Sequence, residues 1–316
     1  MNRVTAVIDK SLLQEICEQP DDKLDAAFMA LLERYILVVP EILVEEVWVN
    51  WANPGPNKNP KVVENMIRCL LHLRDAWIAE PLEIAFVELI KRESIELLPK
   101  PPQWIMDSFY ELRRDNPAVN EWFKERRQLH DEAIRQRLRE QSSIIDSKKS
   151  ACVASEREVF EKFIRPKFLD MLSDPVRKKK LLEGVLGLTF RTRHSGFSQE
   201  IDSAFESYSL ESFDKYPATL NCMMTAMFYF YAPLCNFILP NGENRKIVGR
   251  GFSDQRGNLN DEKYVQSALL CARLATRDEG MRNIMELLRA CGLWNGQTVF
   301  IDPKKDLADE IPQKLI

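Results

Sequence analysis

Two short runs of apolar and β-branched residues near the N-terminus, residues 4–8 and 36–40, constrain the fold most. Runs of this length and composition are typical of buried strands. Each run is followed by a segment with helical character, at residues 11–16 and 41–51, and residues 24–35 form another such segment. This alternation of strand and helix favours a parallel sheet with helices on its faces, so the sequence predicts an α/β fold.

The same pattern returns at the C-terminal end of the chain. Residues 274–276 and 298–301 have a strand-like composition, and residues 281–291 between them have helical periodicity. Gly292 directly follows that segment, and we expect it to cap the helix because glycine readily adopts the left-handed conformation found at helix ends. The two chain ends are therefore expected to build one sheet together.

The middle of the chain has a different character. Proline and glycine crowd into residues 53–60, which indicates a loop and a boundary. Residues 61–210 are rich in charge and in helical periodicity, so they predict a large α-helical insertion. The predicted organisation is a first part of the core at residues 1–55, the helical insertion at 56–239 and a second part of the core at 240–316.

Composition sets limits on the function. The chain is 45% hydrophobic and 29% charged, which is typical of globular proteins, and its formal net charge is -4. That balance argues against a protein that coats nucleic acid through its overall charge, because that mode of binding needs a basic domain. A nuclease remains compatible with it, because such an enzyme needs an acidic metal centre and can confine its basic residues to one groove.

The cysteines and the apolar segments favour a cytoplasmic protein without a membrane partner. None of the seven cysteines pairs with another at the short spacing of a zinc site or a redox motif, which favours a reducing compartment. Residues 1–9 lead into no apolar run of the secretory type. The uncharged residues 216–242 contain prolines and polar side chains, which favours a buried core helix over a membrane span.

Four acidic residues stand where a parallel sheet gathers ligands. Asp9 directly follows the first predicted strand, Glu46 lies on the helix after the second, and Asp278 follows a late strand. Asp261 is predicted to open a helix that runs toward Arg273. Side chains at the carboxyl ends of parallel strands line one crevice, and Mg²⁺ or Mn²⁺ takes several carboxylate oxygens, so the sequence predicts a metal site. The adjacent acids that offer alternatives are Glu45, Glu262 and Glu279.

The order and surroundings of these acids resemble the PIN domain, a family of metal-dependent nucleases. That family has an Asp that closes the first strand, a Glu on a helix after a proline and two hydrophobic residues, an Asp that opens a late helix, and a Thr-x-Asp that closes the next strand. The matching segments are Ile8-Asp9, Pro40 through Glu46-Val47, Asn260-Asp261 with Ala268, and Thr276-Arg277-Asp278. The resemblance covers the two chain ends, and the long stretch between Glu46 and Asp261 departs from the family pattern.

The resemblance implies a PIN-like endonuclease that hydrolyses phosphodiester bonds with Mg²⁺ or Mn²⁺. Asp9, Glu46 and Asp278 would bind the metal directly or through water. Asp261 would be a further ligand, and Thr276 would hydrogen-bond Asp9 or the phosphate. RNA is the first expected substrate and DNA the second, since nothing in the acidic set distinguishes a 2′-hydroxyl from hydrogen. A role as a toxin or antiviral effector follows by analogy only.

Basic residues near Asp261 are candidates for substrate binding. Residues 248–257 contain three glycines and are predicted to form a loop whose backbone can approach a phosphate. Arg250 and Arg256 in this segment would then contact the substrate. A plain flexible connection explains the same glycines equally well.

Each of these features also has a plain structural interpretation. Asp9 would cap the next helix, and Asp261 would be an N-terminal helix acid favoured by the macrodipole. Trp48 and Trp51 would pack in the core rather than stack on bases. A second class of function follows, in which a PIN-like scaffold is a non-catalytic interaction module and the helical insertion binds a protein partner or a second copy of the chain.

Overall fold

The structure is a computed structural model that describes several stretches of the chain and a few single residues. The described residues are 3–52, 59–73, 77–78, 116–147, 166, 170, 173–174, 176, 222, 224–225 and 252–301. Most of the helix predicted within residues 216–242 lies outside them, and so does the candidate residue Arg250. No helix in the described part combines enough length with enough apolar character to traverse a bilayer.

Contacts between residues divide the chain into two compact units. The first unit is formed by Met1–Pro81, Leu98–Glu125 and Lys263–Ile316. The second unit is formed by Leu82–Leu97 and Arg126–Glu262. The domain boundaries expected after residues 55 and 239 stay predictions.

The described elements alternate between strand and helix at both chain ends. In chain order they are β1 (Val4–Ile8), α1 (Lys10–Cys17), α2 (Asp21–Arg34), β2 (Tyr35–Pro40), α3 (Glu41–Ala52), α4 (Pro60–His72), β3 (Trp77–Ile78), α5 (Pro117–Ser147), α6 (Phe252–Leu269), β4 (Arg273–Thr276), α7 (Glu279–Ala290) and β5 (Gln297–Phe300). The strands predicted from the apolar runs are therefore present, with ends shifted by one residue at most places. Strand β3 was not predicted and contributes two residues.

All described strand pairs are parallel, and the strand order is β3-β2-β1-β4-β5. This confirms an α/β fold with a parallel sheet flanked by helices. The chain runs from β1 outward to β2 and β3 on one side, and β4 and β5 lie on the other side. Ile8 is in register with Ala275, so the carboxyl ends of β1 and β4 lie side by side. The strand order reverses between these two strands.

The apolar composition of β1 reflects its central place in the sheet. Ala6, Val7 and Ile8 are almost completely buried, and β1 has a hydrogen-bonded strand on each side. A strand that is buried on both faces has a continuous apolar sequence instead of an alternating one. Burying each such Val or Ile contributes on the order of 1.5–3 kcal/mol, so the central strand is held firmly.

Helix α3 is buried on most of its circumference, in line with its apolar sequence. It packs against α4, which also packs against α1. The indole Nε1 of Trp48 donates to Asn120 Oδ1 at 3.0 Å, and its ring stacks on Phe123 with centroids 5.5 Å apart. Trp51 is also buried. Core packing of both tryptophans is therefore confirmed, and neither ring offers a face to bases.

Helix α7 is defined at both ends by local hydrogen bonds. Asp278 caps its N-terminus, and Met281, Met285 and Leu288 form the buried face at helical spacing. At the C-terminus Gly292 has a φ of 74°. Its N–H donates to Arg289 O at 3.0 Å, and the next N–H donates to Leu288 O at 2.9 Å, which is a Schellman motif. The predicted glycine cap is confirmed.

The prediction of a loop at residues 248–257 is wrong for the part that the structure describes. Helix α6 begins at Phe252, so Asp261 lies in the helix interior and not at its start. Ser253 and Asp254 supply the residue types that favour a helix N-terminus, and they were overlooked as such. Gly257 is tolerated inside a helix at a cost of about 1 kcal/mol relative to alanine.

Two glycine substitutions test these helix assignments, because they should change the free energy of unfolding in opposite directions. Gly292→Ala should lower the free energy of unfolding by about 1 kcal/mol, because a Cβ is strained at positive φ. Gly257→Ala should raise it by about 0.5–1 kcal/mol, because alanine favours the helix interior and the position has open space around it. Urea unfolding at constant temperature measures both changes. A stabilising Gly292→Ala would contradict the cap, and a clearly destabilising Gly257→Ala would contradict the helix at that position.

Candidate metal centre

Asp9 is the residue that follows β1, and it is held rigidly. Its Oδ1 accepts from Leu12 N at 2.8 Å, which makes it the N-cap of α1. Its Oδ2 accepts from Ser11 Oγ at 2.9 Å and from Thr276 Oγ1. Its backbone N–H donates to Ala275 O at 3.2 Å, which continues the pairing of β1 with β4. The side chain is only 1% exposed, so the carboxylate is a buried and fixed acceptor.

Thr276 connects Asp9 to Asp278. It is the last residue of β4 and is fully buried. Its hydroxyl donates to Asp9 Oδ2 and accepts from Asp278 N at 2.9 Å. Asp278 is exposed, and its Oδ1 accepts from Met281 N at 2.7 Å as the N-cap of α7. The expected hydrogen bond between Thr276 and Asp9 is thus present, and the Thr-x-Asp segment turns Asp278 toward the same edge of the sheet.

The electrostatic state of Asp9 reflects this burial. Burial raises the pKa of Asp9 from 3.8 to about 6, and the negative charge of Asp278 adds to the rise. The hydrogen bonds from Thr276, Leu12 and Ser11 act in the opposite direction and offset part of it. At neutral pH the site therefore holds a buried negative charge beside a second carboxylate. A cation placed near both would relieve that penalty.

Glu46 lies on α3, and its side chain is 20% exposed. Its Oε2 accepts from the hydroxyl of Tyr264 at 2.8 Å, and its Oε1 lies 3.7 Å from the ammonium of Lys10. Lys10 is the residue after Asp9, and Tyr264 is a buried residue of α6. Lys10 thus links the Glu46 carboxylate to the start of α1.

Asp261 lies on α6 and is partly buried. It precedes Tyr264 by one helical turn and belongs to the second compact unit. The structure therefore brings Asp9, Thr276 and Asp278 together. Glu46 contacts Lys10, which is the residue after Asp9. Among the described residues, no group of three or more His, Cys, Asp or Glu is gathered in a geometry that holds a metal ion. The metal site of four acids stays a prediction.

Of the other candidate residues, the three acids have side chains that the structure describes, and the two arginines do not. Glu45 is buried, and Glu262 is buried with an ion pair to Arg137 at 2.9 Å. Glu279 is exposed and pairs with Arg282 at 3.1 Å. The two expected substrate contacts cannot be assigned side-chain positions, since Arg250 lies outside the described residues and only the backbone of Arg256, within α6, is described.

Several residues at this edge of the sheet were not found from the sequence. Ser11 was not predicted as a partner of Asp9, and its hydroxyl donates to Asp9 Oδ2. Arg277, inside the Thr-x-Asp segment, is itself buried and forms an ion pair with the partly exposed Glu15 of α1, which holds the turn after β4 against that helix. Burial raises the pKa of Glu15, and the charge of Arg277 offsets part of this rise. Lys10 and Tyr264 carried no local signal of their contacts.

The donor atoms at this site suit a hard divalent cation. Asp9 and Asp278 provide carboxylate oxygens and Thr276 provides a hydroxyl oxygen, which are the ligand types that Mg²⁺ and Mn²⁺ prefer. The fixed orientation of Asp9 also provides the support that outer hydrogen bonds give to metal ligands. The residues present therefore fit the metal in chemical type.

The raised pKa of Asp9 predicts a pH-dependent stability. The folded state keeps a proton on Asp9 up to a pH of about 6, whereas the unfolded chain loses it near 3.8. Stability contributed by this residue therefore falls as pH rises through that window and stays low above it. Asp9→Asn removes the buried charge and retains a capping oxygen, so at pH 8 without metal it should raise the free energy of unfolding by on the order of 1–3 kcal/mol.

The gain in free energy of unfolding of Asp9→Asn over the wild type should shrink as the pH falls from 8 toward 4.5, because the wild-type carboxyl becomes neutral. Urea unfolding in the presence of a chelator measures it at each pH. The matched control is Asp25→Asn at an exposed position of α2. Its free energy of unfolding should differ from that of the wild type by nearly the same amount at every pH. An Asp9→Asn effect that is the same at all pH values would contradict a raised pKa for Asp9.

Comparisons of the chain with models of protein families, with curated proteins and with solved structures find no match. The function is therefore inferred from the residues themselves. The contacts that bear on it are those of Asp9, Thr276 and Asp278 where β1 and β4 end, and those of Glu46 with Lys10 and Tyr264.

Proposed function

We propose that the chain is a metal-dependent nuclease that hydrolyses phosphodiester bonds. Asp9 and Asp278 would bind Mg²⁺ or Mn²⁺, and Glu46 and Asp261 would complete the set of ligands. The observation that carries this proposal is the Thr276 hydroxyl, which donates to the Asp9 carboxylate and accepts from the backbone N–H of Asp278 at the carboxyl ends of β1 and β4.

The position of this pair in the sheet supports a binding site. In open parallel sheets, ligands bind outside the carboxyl ends of the strands where the strand order reverses. That reversal lies between β1 and β4, and Asp9 and Thr276 stand at it.

The burial of Asp9 supports a charged ligand. A carboxylate that caps a helix is normally placed at the surface, where its charge is hydrated. Asp9 instead pays a desolvation penalty that raises its pKa to about 6. Groups with strongly shifted pKa values concentrate at functional sites, because the fold tolerates them for their chemistry.

The chain's own residues would prepare the site for an incoming phosphate. Thr276, Ser11 and the Leu12 amide fix the Asp9 carboxylate, so its oxygens need no reorientation when a ligand arrives. Asp278 is exposed and gives the site an open side toward solvent. A bound divalent cation would supply an activated water and would stabilise negative charge on the phosphate.

The resemblance to the PIN domain supplies the proposed substrate class. We propose RNA as the first substrate and DNA as the second, with a role as a toxin or antiviral effector by analogy alone. The segment between the chain ends would contribute the substrate channel or a partner surface. Arg250 and Arg256 remain the proposed substrate contacts.

One observation favours the non-catalytic alternative. Asp9 and Asp278 both cap a helix, at α1 and at α7, and an N-cap is a sufficient structural reason for an Asp at each place. In that case the sheet is a scaffold, and the rest of the chain binds a protein partner or a second copy. Loss of either carboxylate charge would then leave any function unchanged.

Cleavage assays separate these two functions. Purified protein should cut labelled single-stranded RNA, and DNA more slowly, in the presence of Mn²⁺ or Mg²⁺ but not with a chelator. Asp9→Asn and Asp278→Asn should each lower the cleavage rate by about 100-fold or more, since loss of a metal ligand exceeds the effect of losing its outer partners. Both variants retain a residue that caps helices, so they should fold.

The matched control for charge is again Asp25→Asn, which should cut at the wild-type rate. Circular dichroism confirms that each variant is folded before its rate is compared. Cleavage by Asp9→Asn at the wild-type rate would remove Asp9 from the site. A wild-type chain that cuts neither nucleic acid with either metal would favour the interaction module.

A further inference from the structure

Two cysteine side chains meet where α1 packs against α4. Cys17 is the last residue of α1, and Cys69 lies near the end of α4. Their Sγ atoms are 3.9 Å apart, and the two residues are only 1% and 5% exposed. The cysteines are 52 positions apart in the sequence, so the packing of the two helices makes this contact and no local motif does.

We propose that Cys17 and Cys69 form a modification site, at which a peroxide oxidises the two thiols to a disulfide that joins α1 to α4. The peroxide first oxidises one thiol to a sulfenic acid, and one water is released. The second thiol then attacks that sulfur, the S–S bond forms, and a second water leaves. In all, the thiols lose two protons and two electrons, and hydrogen peroxide is reduced to two waters. Neither cysteine takes part in the proposed nuclease function.

An additional contact one helical turn from Cys69 holds the end of α1 against α4. The side-chain Nδ2 of the buried Asn65 donates to the backbone oxygen of Cys17 at 3.4 Å. Asn65 and Cys69 are four residues apart, so they lie on the same face of α4. The backbone of Cys17 is therefore held opposite the face that carries Cys69. The sulfurs of a disulfide are about 2.05 Å apart, so each Sγ has to move by about 1 Å.

The surroundings of the pair make it slow to react. The hydrogen bond with Cys69 and burial raise the pKa of Cys17, so its thiol is protonated at neutral pH. The thiolate is the reactive form of cysteine, and a buried thiol is also hard to reach. A small uncharged oxidant such as hydrogen peroxide suits this site better than a bulky disulfide does. In a reducing compartment the bond forms only under oxidative conditions and is transient.

The disulfide should stabilise the folded chain. It closes a loop from Cys17 to Cys69, and this loop contains α2, β2 and α3. A cross-link over a long loop restricts the unfolded chain more than the folded one. Oxidation of a single thiol to a sulfinic or sulfonic acid would instead place a charge in the core, which destabilises the fold. The two chemical outcomes therefore change the stability in opposite directions.

Peptide mapping of the full, folded chain tests the inference. The chain is treated with hydrogen peroxide, and its remaining thiols are then alkylated in denaturant. Trypsin places Cys17 in residues 11–23 and Cys69 in residues 69–74, with one cysteine in each peptide. Mass spectrometry without reductant should find these peptides joined, lighter by two hydrogen atoms than their sum. The Tm should rise by roughly 5–10 °C, and dithiothreitol should reverse both changes.

Two serine variants separate this pair from oxidation elsewhere in the chain. Cys69→Ser has nearly the same shape and should lose both the cross-link and the rise in Tm. Cys271→Ser is the matched control, because Cys271 is another buried thiol of the first unit. This variant should form the cross-link and show the same rise in Tm as the wild type. The wild-type peptide map decides the inference even if Cys69→Ser fails to fold.

The outcomes divide clearly. A cross-link between Cys17 and Cys69, with a Tm that rises in the wild type and in Cys271→Ser, supports the inference. Recovery of both peptides without a cross-link, either alkylated or oxidised to sulfinic acid, overturns it. A cross-link of either cysteine to a different partner also overturns it, and so does a Cys17–Cys69 bond that leaves the Tm unchanged or lower. All of these results leave the proposed nuclease function unaffected.

Discussion

The pairing of β1 with β4 is the interaction on which the rest of the structure depends. It joins residues that are far apart in the sequence, with Ile8 in register with Ala275 and the Asp9 amide donating to Ala275 O. Only this register places Asp9 beside Thr276 and lets one hydroxyl connect the Asp9 carboxylate to the backbone N–H of Asp278. A shift by one residue would turn every side chain of β4 to the other face and separate them.

Two opposing effects on stability meet in Asp9. As an N-cap it stabilises α1, but its burial beside Asp278 opposes folding at neutral pH, because the folded state must hold an unhydrated charge. A neutral isostere would satisfy the cap without that penalty. Retaining the charge is therefore understandable if a cation or another positive group completes the site, and this reasoning links stability to the proposed chemistry.

Local sequence predicted the local structure well and the distant contacts poorly. Apolar runs gave β1, β2 and β4, and Gly292 was recognised as a cap, because strand composition and helix ends are local properties. The start of α6 was predicted wrongly, because the nearby glycines favour a loop whereas Ser253 and Asp254 favour a helix N-terminus. The contact of Tyr264 with Glu46 carries no local pattern, since it depends on how α3 and α6 are packed. The approach of Cys17 and Cys69 Sγ to 3.9 Å was hidden for the same reason.

The most direct test of the account is an experimental structure of the full chain crystallised with Mn²⁺ and measured for anomalous scattering. We predict one or two anomalous peaks at the carboxyl ends of β1 and β4. At least one should lie within about 2.0–2.6 Å of an oxygen of Asp9 or Asp278, or be bridged to both by water. An Mn²⁺-containing crystal in which this edge of the sheet holds no peak, while both carboxylates only cap their helices, would contradict the claim that they form a metal centre.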